Sequence, residues 1–222
     1  LEKIYLPFKG QKVNLSELES KLEFTDQWVL EEFLKHFSQA DLERGKNLIQ
    51  IELAKKYVGA FVQFDLDEMR ENGPVKILEI EDVLQGFVSA GDLRLRLFGL
   101  ADRIDERDGA IRIIDYKTGA VKQSELKANF GTMFNDSDKS KALQLAFYKY
   151  VYSKRENLDE ARVESCIYSF RLPKQGLISL QLEDVEDGFM HSYEQHLRDI
   201  VADMLDETKP FAHKADSKYL TF

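Results

Sequence analysis

The feature that most constrains this chain is the dipeptide Asp108-Gly109, set between two β-rich runs at residues 93–104 and 110–116. Asp-Gly readily adopts the positive φ angles of a two-residue hairpin turn, so the two runs are expected to pair antiparallel. With these two residues as the turn, Arg107 faces Ala110, and each step outward pairs the next two residues. Asp102 then lands opposite Asp115. A four-residue loop centred on the same pair keeps that register, whereas an odd-length loop shifts it by one.

Directly opposed residues on one face of a strand pair have Cβ atoms roughly 4.5–5.5 Å apart. Two carboxylates that close repel unless something positive lies between them. Lys117 stands two residues beyond Asp115 and so points to the same face. The spacing therefore predicts two acids and one lysine converging on one spot. Such a hard-oxygen site suits Mg²⁺ or Mn²⁺, with several metal-bound waters retained. A plainer reading also stands: a surface hairpin with solvated acids and Lys117 as counter-charge. Against it, Ile113 and Ile114 precede Asp115 and mark a partly buried strand end, where charges need a reason.

The pattern along the rest of the chain gives the hairpin a setting. The first 72 residues read as helical, with Asn14 capping one helix and Asp26 capping another over 27–37. From about residue 40 to 69, Leu42, Leu48, Ile49, Ile51, Leu53, Ala54, Val58, Phe61 and Val62 recur at helical spacing, and Gly73-Pro74 ends the run. A strand is expected at 75–84, before the hairpin. After the hairpin, residues 118–138 read as a loop, and residues 140–154 as a helix with Leu143, Ala146, Phe147 and Tyr150 on one face. Two strands, 163–172 and 177–182, join at Pro173-Lys174-Gln175-Gly176, and an amphipathic helix over 185–205 closes the chain. This order predicts a helical subdomain over 1–73 and an α/β core over 74–222.

Composition narrows the function classes. The 222 residues are 43% hydrophobic and 32% charged, the profile of a soluble protein with a substantial core. No apolar run has the length of a membrane span, and no signal-peptide pattern opens the chain. A chain that begins at Leu1 is expected to be a piece of something longer. The single cysteine, Cys166, excludes internal disulfides and any cysteine-ligated zinc or iron–sulfur centre in this chain. It lies in an apolar run, where a buried thiol is expected, and it fits a reducing, cytoplasmic setting. A net charge of −9 offers phosphate no general attraction, so binding to nucleic acid requires a local basic patch.

The segment Gly99-Leu100-Ala101-Asp102-Arg103-Ile104-Asp105, a short turn, and Ile113-Ile114-Asp115-Tyr116-Lys117-Thr118-Gly119 resemble the PD-(D/E)XK nuclease superfamily. The RecB/AddB-type nuclease domains of helicase–nuclease repair proteins, related to Cas4-like exonucleases, look most similar. Gln144-Leu145-Ala146-Phe147-Tyr148 resembles the Gln-x-x-x-Tyr motif of that group, and its two polar residues share one helix face. The likeness runs from about residue 75 to 168, and more loosely over 45–69 and the closing helix.

The resemblance implies a restriction-endonuclease-like fold, with a mixed central β-sheet flanked by helices behind an N-terminal helical subdomain. It implies a Mg²⁺-dependent DNA exonuclease, with Mn²⁺ able to substitute, acting in repair and recombination beside a helicase-like domain or subunit. Asp102 and Asp115 would be metal ligands, with the Tyr116 carbonyl as a backbone ligand. Lys117 would orient the attacking water and stabilise the charged phosphate, and Gln144 and Tyr148 would form an outer catalytic layer. Glu81 matches an acidic position on the preceding strand; Glu79 shares its expected face, so that choice stays open. Lys122, Lys127, Lys139, Lys141, Arg171 and Lys174 are candidates for tracking the DNA backbone. The alternative is an idle nuclease fold that binds DNA or a partner as a scaffold.

Two family features have no counterpart. His36, His191, His196 and His213 do not sit in the family's Gly-x-x-x-His context, and the matching segment is expected to precede Leu1. One metal is therefore expected from these residues, and a second only with ligands from upstream. No cysteine cluster follows Pro210-Phe211, so no iron–sulfur cluster is expected within this chain.

Overall fold

The computed structural model describes residues 1–90, 93–183, 185 and 187–210. His213 and the chain end from Phe211 onward lie outside the described residues. The chain divides into two compact units, with unit 1 comprising residues 1–82, 101–121 and 166–178. Unit 2 comprises 83–100, 122–165 and 179–222. Unit 1 thus unites the helical N-terminal region with the Asp108-Gly109 hairpin.

Unit 1 opens with helices α1 (Glu2–Tyr5), α2 (Leu15–Lys21), α3 (Thr25–Leu34), α4 (Gln39–Leu42) and the long α5 (Gly45–Asn72). Asn14 caps α2 by accepting the Glu17 N–H, as its position predicts. Asp26 does not cap α3. A 3₁₀ turn over Leu22–Phe24 runs straight into that helix, and Thr25 Oγ1 bonds back to the Leu22 carbonyl. Asp26 falls instead in the first turn. Gly73 at φ 82° ends α5, a conformation open to glycine because it carries no Cβ.

The strands are β1 (Lys76–Ala90), β2 (Leu93–Arg107), β3 (Ala110–Lys117), β4 (Lys127–Ala128), β5 (Val163–Ser169), β6 (Leu177–Ser179) and β7 (Gln181–Leu182). Five of them form a sheet in the order β1-β2-β3-β5-β6, the mixed sheet with flanking helices that the resemblance implies. In unit 1, α5 packs on the sheet through Phe61, whose ring meets Tyr116 edge-on at 4.8 Å and Tyr168 at 4.7 Å. Val62, Leu66, Met69, Val75 and Ile77 complete this core.

Behind β2 lies a charged cluster that periodicity gives no hint of. Arg103 is fully buried and donates to Asp65 of α5 at 2.7 Å and to Asp105 at 2.8 Å. Arg112 donates to Asp105 at 2.7 Å, and the Tyr5 ring lies 4.7 Å from the Arg103 guanidinium. Burial disfavours the Arg103 charge, but the carboxylates of Asp65 and Asp105 hold it well above the ordinary arginine range.

Unit 2 contains α6 (Gln123–Leu126), α7 (Phe130–Asn135), α8 (Ser140–Glu156) and α9 (Phe189–Leu205). The expected loop over 118–138 is therefore largely ordered into α6, β4 and α7. Asn129 and Thr132 satisfy each other's backbone N–H groups at the start of α7, and Val121, Leu126, Ala128 and Met133 are buried. Short helices anchored by polar caps and scattered apolar contacts leave little periodicity to read. Residues 170–172 and Leu180 likewise fall outside the strands expected to hold them.

Two features of unit 2 yield measurable expectations. A Cβ at Gly99 would lie 2.7 Å from Phe147 Cε1 and 3.1 Å from Tyr148 Cε1, both on α8. Gly99→Ala should lower stability by about 1–3 kcal/mol through overpacking, read from the urea midpoint. An unchanged midpoint would show that α8 yields freely there.

Tyr150 of α8 donates to Glu194 of α9 at 2.6 Å, and Lys154 donates to the same carboxylate at 2.7 Å. Burial alone raises the Glu194 carboxyl, yet Lys154, Tyr150 and Arg198 outweigh it and hold it at about 2. A depressed folded-state value contributes stability above the unfolded carboxylate range, and that stability is lost as pH falls toward 2. Glu194→Gln should therefore cost roughly 1–2 kcal/mol at neutral pH, after allowance for partial solvent screening. The gap between variant and wild type should close on acidification; a gap independent of pH would contradict the assignment.

Candidate active site

The hairpin is built as the Asp-Gly signal predicts. Asp108 and Gly109 take φ angles of 51° and 85°, and β2 pairs antiparallel with β3 from Arg107↔Ala110 to Arg103↔Ile114. The paired register ends one residue short of Asp102 and Asp115, which flank the Arg103↔Ile114 pair. The Tyr116 N–H donates to Asp102 Oδ2 at 2.6 Å, which ties the first acid to the strand that carries the second.

Alternation along β2 separates two roles. Ile104 and Arg103 are both fully buried, and Arg103 and Asp105 point away from Asp102 into the charged cluster. The cluster pins the back of the strand whose front carries Asp102. Asp115 is 4% exposed, and Lys117 Nζ lies 2.8 Å from its Oδ2. The lysine thus reaches the acid from two residues along the same face.

Glu79 and Glu81 are separated by the backbone. Glu81 adopts φ 52°, a left-handed conformation that costs a non-glycine residue of order 1 kcal/mol. Simple alternation therefore fails at this point, and Glu79 pairs with Lys9 at 2.5 Å. Glu81 is the acid in the electrostatic field of the site. Burial raises its carboxyl, and the Asp102 charge raises it further. Burial likewise pushes the Asp102 carboxyl up, against the Tyr116 N–H and the Lys117 charge. Burial outweighs these two influences at Asp102, a condition that a bound cation relieves.

Among the described residues, no three His, Cys, Asp or Glu side chains are gathered closely enough to hold a metal. The available donors are the Asp102 and Asp115 carboxylates and a backbone carbonyl. A set this small fits Mg²⁺, which keeps several waters, better than a metal that needs an all-protein cage.

Unit 2 holds the other polar candidates. Gln144 donates to the Tyr148 hydroxyl at 2.7 Å, and that hydroxyl donates to the Leu100 carbonyl at 2.7 Å. Lys139 spends its ammonium on the Ser124 and Lys127 carbonyls, and Lys141 pairs with Glu125 at 2.6 Å. Lys127 pairs with Glu183 at 3.0 Å, while Lys122 starts α6 as its N-cap residue. In unit 1, Arg171 and Lys174 are exposed. His196 stacks on Phe130 and Phe134, at 5.1 and 5.6 Å between ring centres, as part of the unit 2 core.

Residues 1–219 match the family description "PD-(D/E)XK nuclease superfamily". The chain belongs to the PD-(D/E)XK nuclease superfamily. Membership implies phosphodiester-hydrolysing nuclease chemistry on DNA, and nucleases of this superfamily generally use divalent metal ions. No curated protein matches the chain. Among solved structures, "Crystal structure of SSO0001" is 15% identical, with a TM-score of 0.28, covering 85% of this chain and 88% of that one. Among the described residues, no helix is long and apolar enough to cross a membrane. The family match includes the N-terminal helices as well as the hairpin. Within this nuclease chain, the cluster of Arg103, Asp65, Asp105 and Arg112 is the element that reading the sequence missed. Its signal was an arginine with acids on either side of it inside a strand, Asp102-Arg103-Ile104-Asp105.

Proposed function

We propose that the chain is a Mg²⁺-dependent DNA exonuclease domain of the RecB/AddB type, cytoplasmic and working in repair and recombination beside a helicase-like module. The observation that carries the nuclease reading is the position of Asp102 and Asp115 beside the Arg103↔Ile114 pair of β2 and β3, with Lys117 2.8 Å from Asp115. The exonuclease and helicase context rest on the resemblance of the hairpin and of the Gln144–Tyr148 pair.

Asp102, Asp115, the Tyr116 carbonyl and Glu81 would hold the cation. When bound, Mg²⁺ supplies a Lewis acid at the phosphoryl oxygen and lowers the pKa of a bound water. The protein's own residues do the remaining work. The Tyr116 N–H fixes one oxygen of Asp102, and the Arg103 cluster keeps β2 from shifting. Lys117 places its ammonium where charge accumulates on the phosphate, the largest single contribution in such reactions. Gln144 and Tyr148 are assigned to substrate positioning in unit 2. Lys122, Lys139, Lys141 and Arg171 remain candidates for backbone contacts. Lys139 is held by two backbone carbonyls and Lys141 by Glu125, which makes Lys122 and Arg171 the better of the four.

One observation favours the scaffold reading. Lys117 already neutralises Asp115, so the hairpin tolerates its charge without metal. Calorimetric titration of Mn²⁺ into the wild-type chain and Asp115→Ala separates the two. Binding to the wild type alone supports the enzyme; no binding to either leaves the scaffold. Labelled single- and double-stranded DNA should be degraded with Mg²⁺ and spared with chelator.

A further inference from the structure

Within unit 2, residues 83–90 of β1 and 93–100 of β2 show two unlike faces. One face carries Gly86 and Gly99 and packs on Val151, Phe147 and Tyr148 of α8. The other is open, and it carries Val83, Phe87, Arg94, Arg96, Phe98 and Leu100. Phe98 is 61% exposed and Phe87 38%, a large apolar surface to leave in water. The arginines are interleaved with the rings: the Arg94 guanidinium lies 4.1 Å from the centre of Phe87, and that of Arg96 5.8 Å from Phe98. Arg96 is also held by Gln85 at 3.0 Å.

The charge of this face is the reverse of the chain's. The protein has 40 acidic residues against 31 basic ones, yet residues 83–100 contain two arginines and a single acid, Asp92, outside the described residues. Both arginines lie on the open face. A protein partner's apolar patch would satisfy the rings but leave two guanidinium groups without counter-charge. A folded duplex would present phosphates but hide its bases from the rings. Single-stranded nucleic acid offers both, because unpaired bases stack on aromatic rings or guanidinium planes while their phosphates meet the cations.

We propose that the open face of the β1–β2 ribbon is a binding platform for single-stranded DNA. Phe98 and the Phe87–Arg94 pair are the stacking surfaces, and Arg94 and Arg96 are the phosphate contacts. The inference rests on the nuclease reading for its choice of DNA, and it specifies the form in which the substrate is held.

The test is fluorescence anisotropy of a labelled oligothymidine, with chelator present so that nothing is cleaved. Loss of one aromatic stack weakens such binding by roughly five- to a hundredfold. Phe98→Ala should therefore lower affinity for the single strand by about tenfold or more. It should leave affinity for a blunt duplex of the same length nearly unchanged. The double variant Arg94→Ala/Arg96→Ala should flatten the salt dependence of log affinity by about 1.4, from two phosphate contacts. Both variants alter exposed side chains, and far-ultraviolet circular dichroism checks that they fold. Equal single-strand binding by wild type and Phe98→Ala, or no binding by the wild type, overturns the platform. So does a self-associating wild type that Phe98→Ala turns monomeric with DNA affinity unchanged, since the face then holds a second copy. Mg²⁺-dependent cleavage, assayed separately with Asp115→Ala as control, reports on the nuclease reading alone. Binding through Phe98 without such cleavage keeps the platform and sinks the nuclease reading; cleavage with normal Phe98→Ala binding does the opposite.

Discussion

Replacing Lys117 by alanine is expected to lower kcat for DNA cleavage by a factor of about 10² to 10³ while Mn²⁺ still binds. The ammonium lies 2.8 Å from Asp115 Oδ2. Its removal takes away the fixed positive charge that would meet the developing charge on the phosphate. Metal affinity should hold or rise, because the ammonium 2.8 Å from Asp115 competes with a bound cation for that carboxylate. Asp115→Asn should behave differently, losing cleavage and metal together. Steady-state cleavage combined with Mn²⁺ calorimetry distinguishes the two variants. Undiminished cleavage by Lys117→Ala would place the chemistry elsewhere on the chain.

Arg103→Met should be the most destabilising single change in unit 1, at about 3–5 kcal/mol. The side chain is fully buried and donates to both Asp65 and Asp105, so its loss strands negative charge in the core. Arg112 compensates Asp105 through two hydrogen bonds, at 2.7 and 3.1 Å, but Asp65 receives none of that help. The double variant Asp65→Leu/Arg103→Met should accordingly recover much of the loss, since Asp105 and Arg112 then remain as a balanced pair. Urea unfolding of the two variants provides the comparison. If the double variant is less stable than Arg103→Met, Asp65 contributes by packing and not as the guanidinium's counter-charge. Because Arg103 adjoins Asp102 in β2, metal affinity at the hairpin should fall along with stability.

How much was legible beforehand depended on how local each feature is. The hairpin register follows from one dipeptide and a period of two, and β2 and β3 pair accordingly. Helices α5 and α8 were legible for a related reason, since their apolar spacing persists over several turns. The segment 118–138 was not, because its short elements rest on caps and single buried side chains. Asp26 misled because a preceding 3₁₀ turn made a side-chain cap unnecessary.

The sequence by itself determined the register of β2 and β3 and the position of Asp102 and Asp115 at its end, because turn chemistry and strand alternation involve only near neighbours. Only the tertiary structure separates the surroundings of Glu79 from those of Glu81. A left-handed residue at position 81 breaks the alternation, and Lys9, seventy residues away from Glu79 in sequence, takes up the other acid. Only the tertiary structure, too, revealed that Arg103 is neutralised by Asp65, 38 residues distant on α5. Periodicity records which face of a strand is buried, whereas the pairing of buried charges depends on which distant element arrives to cover it.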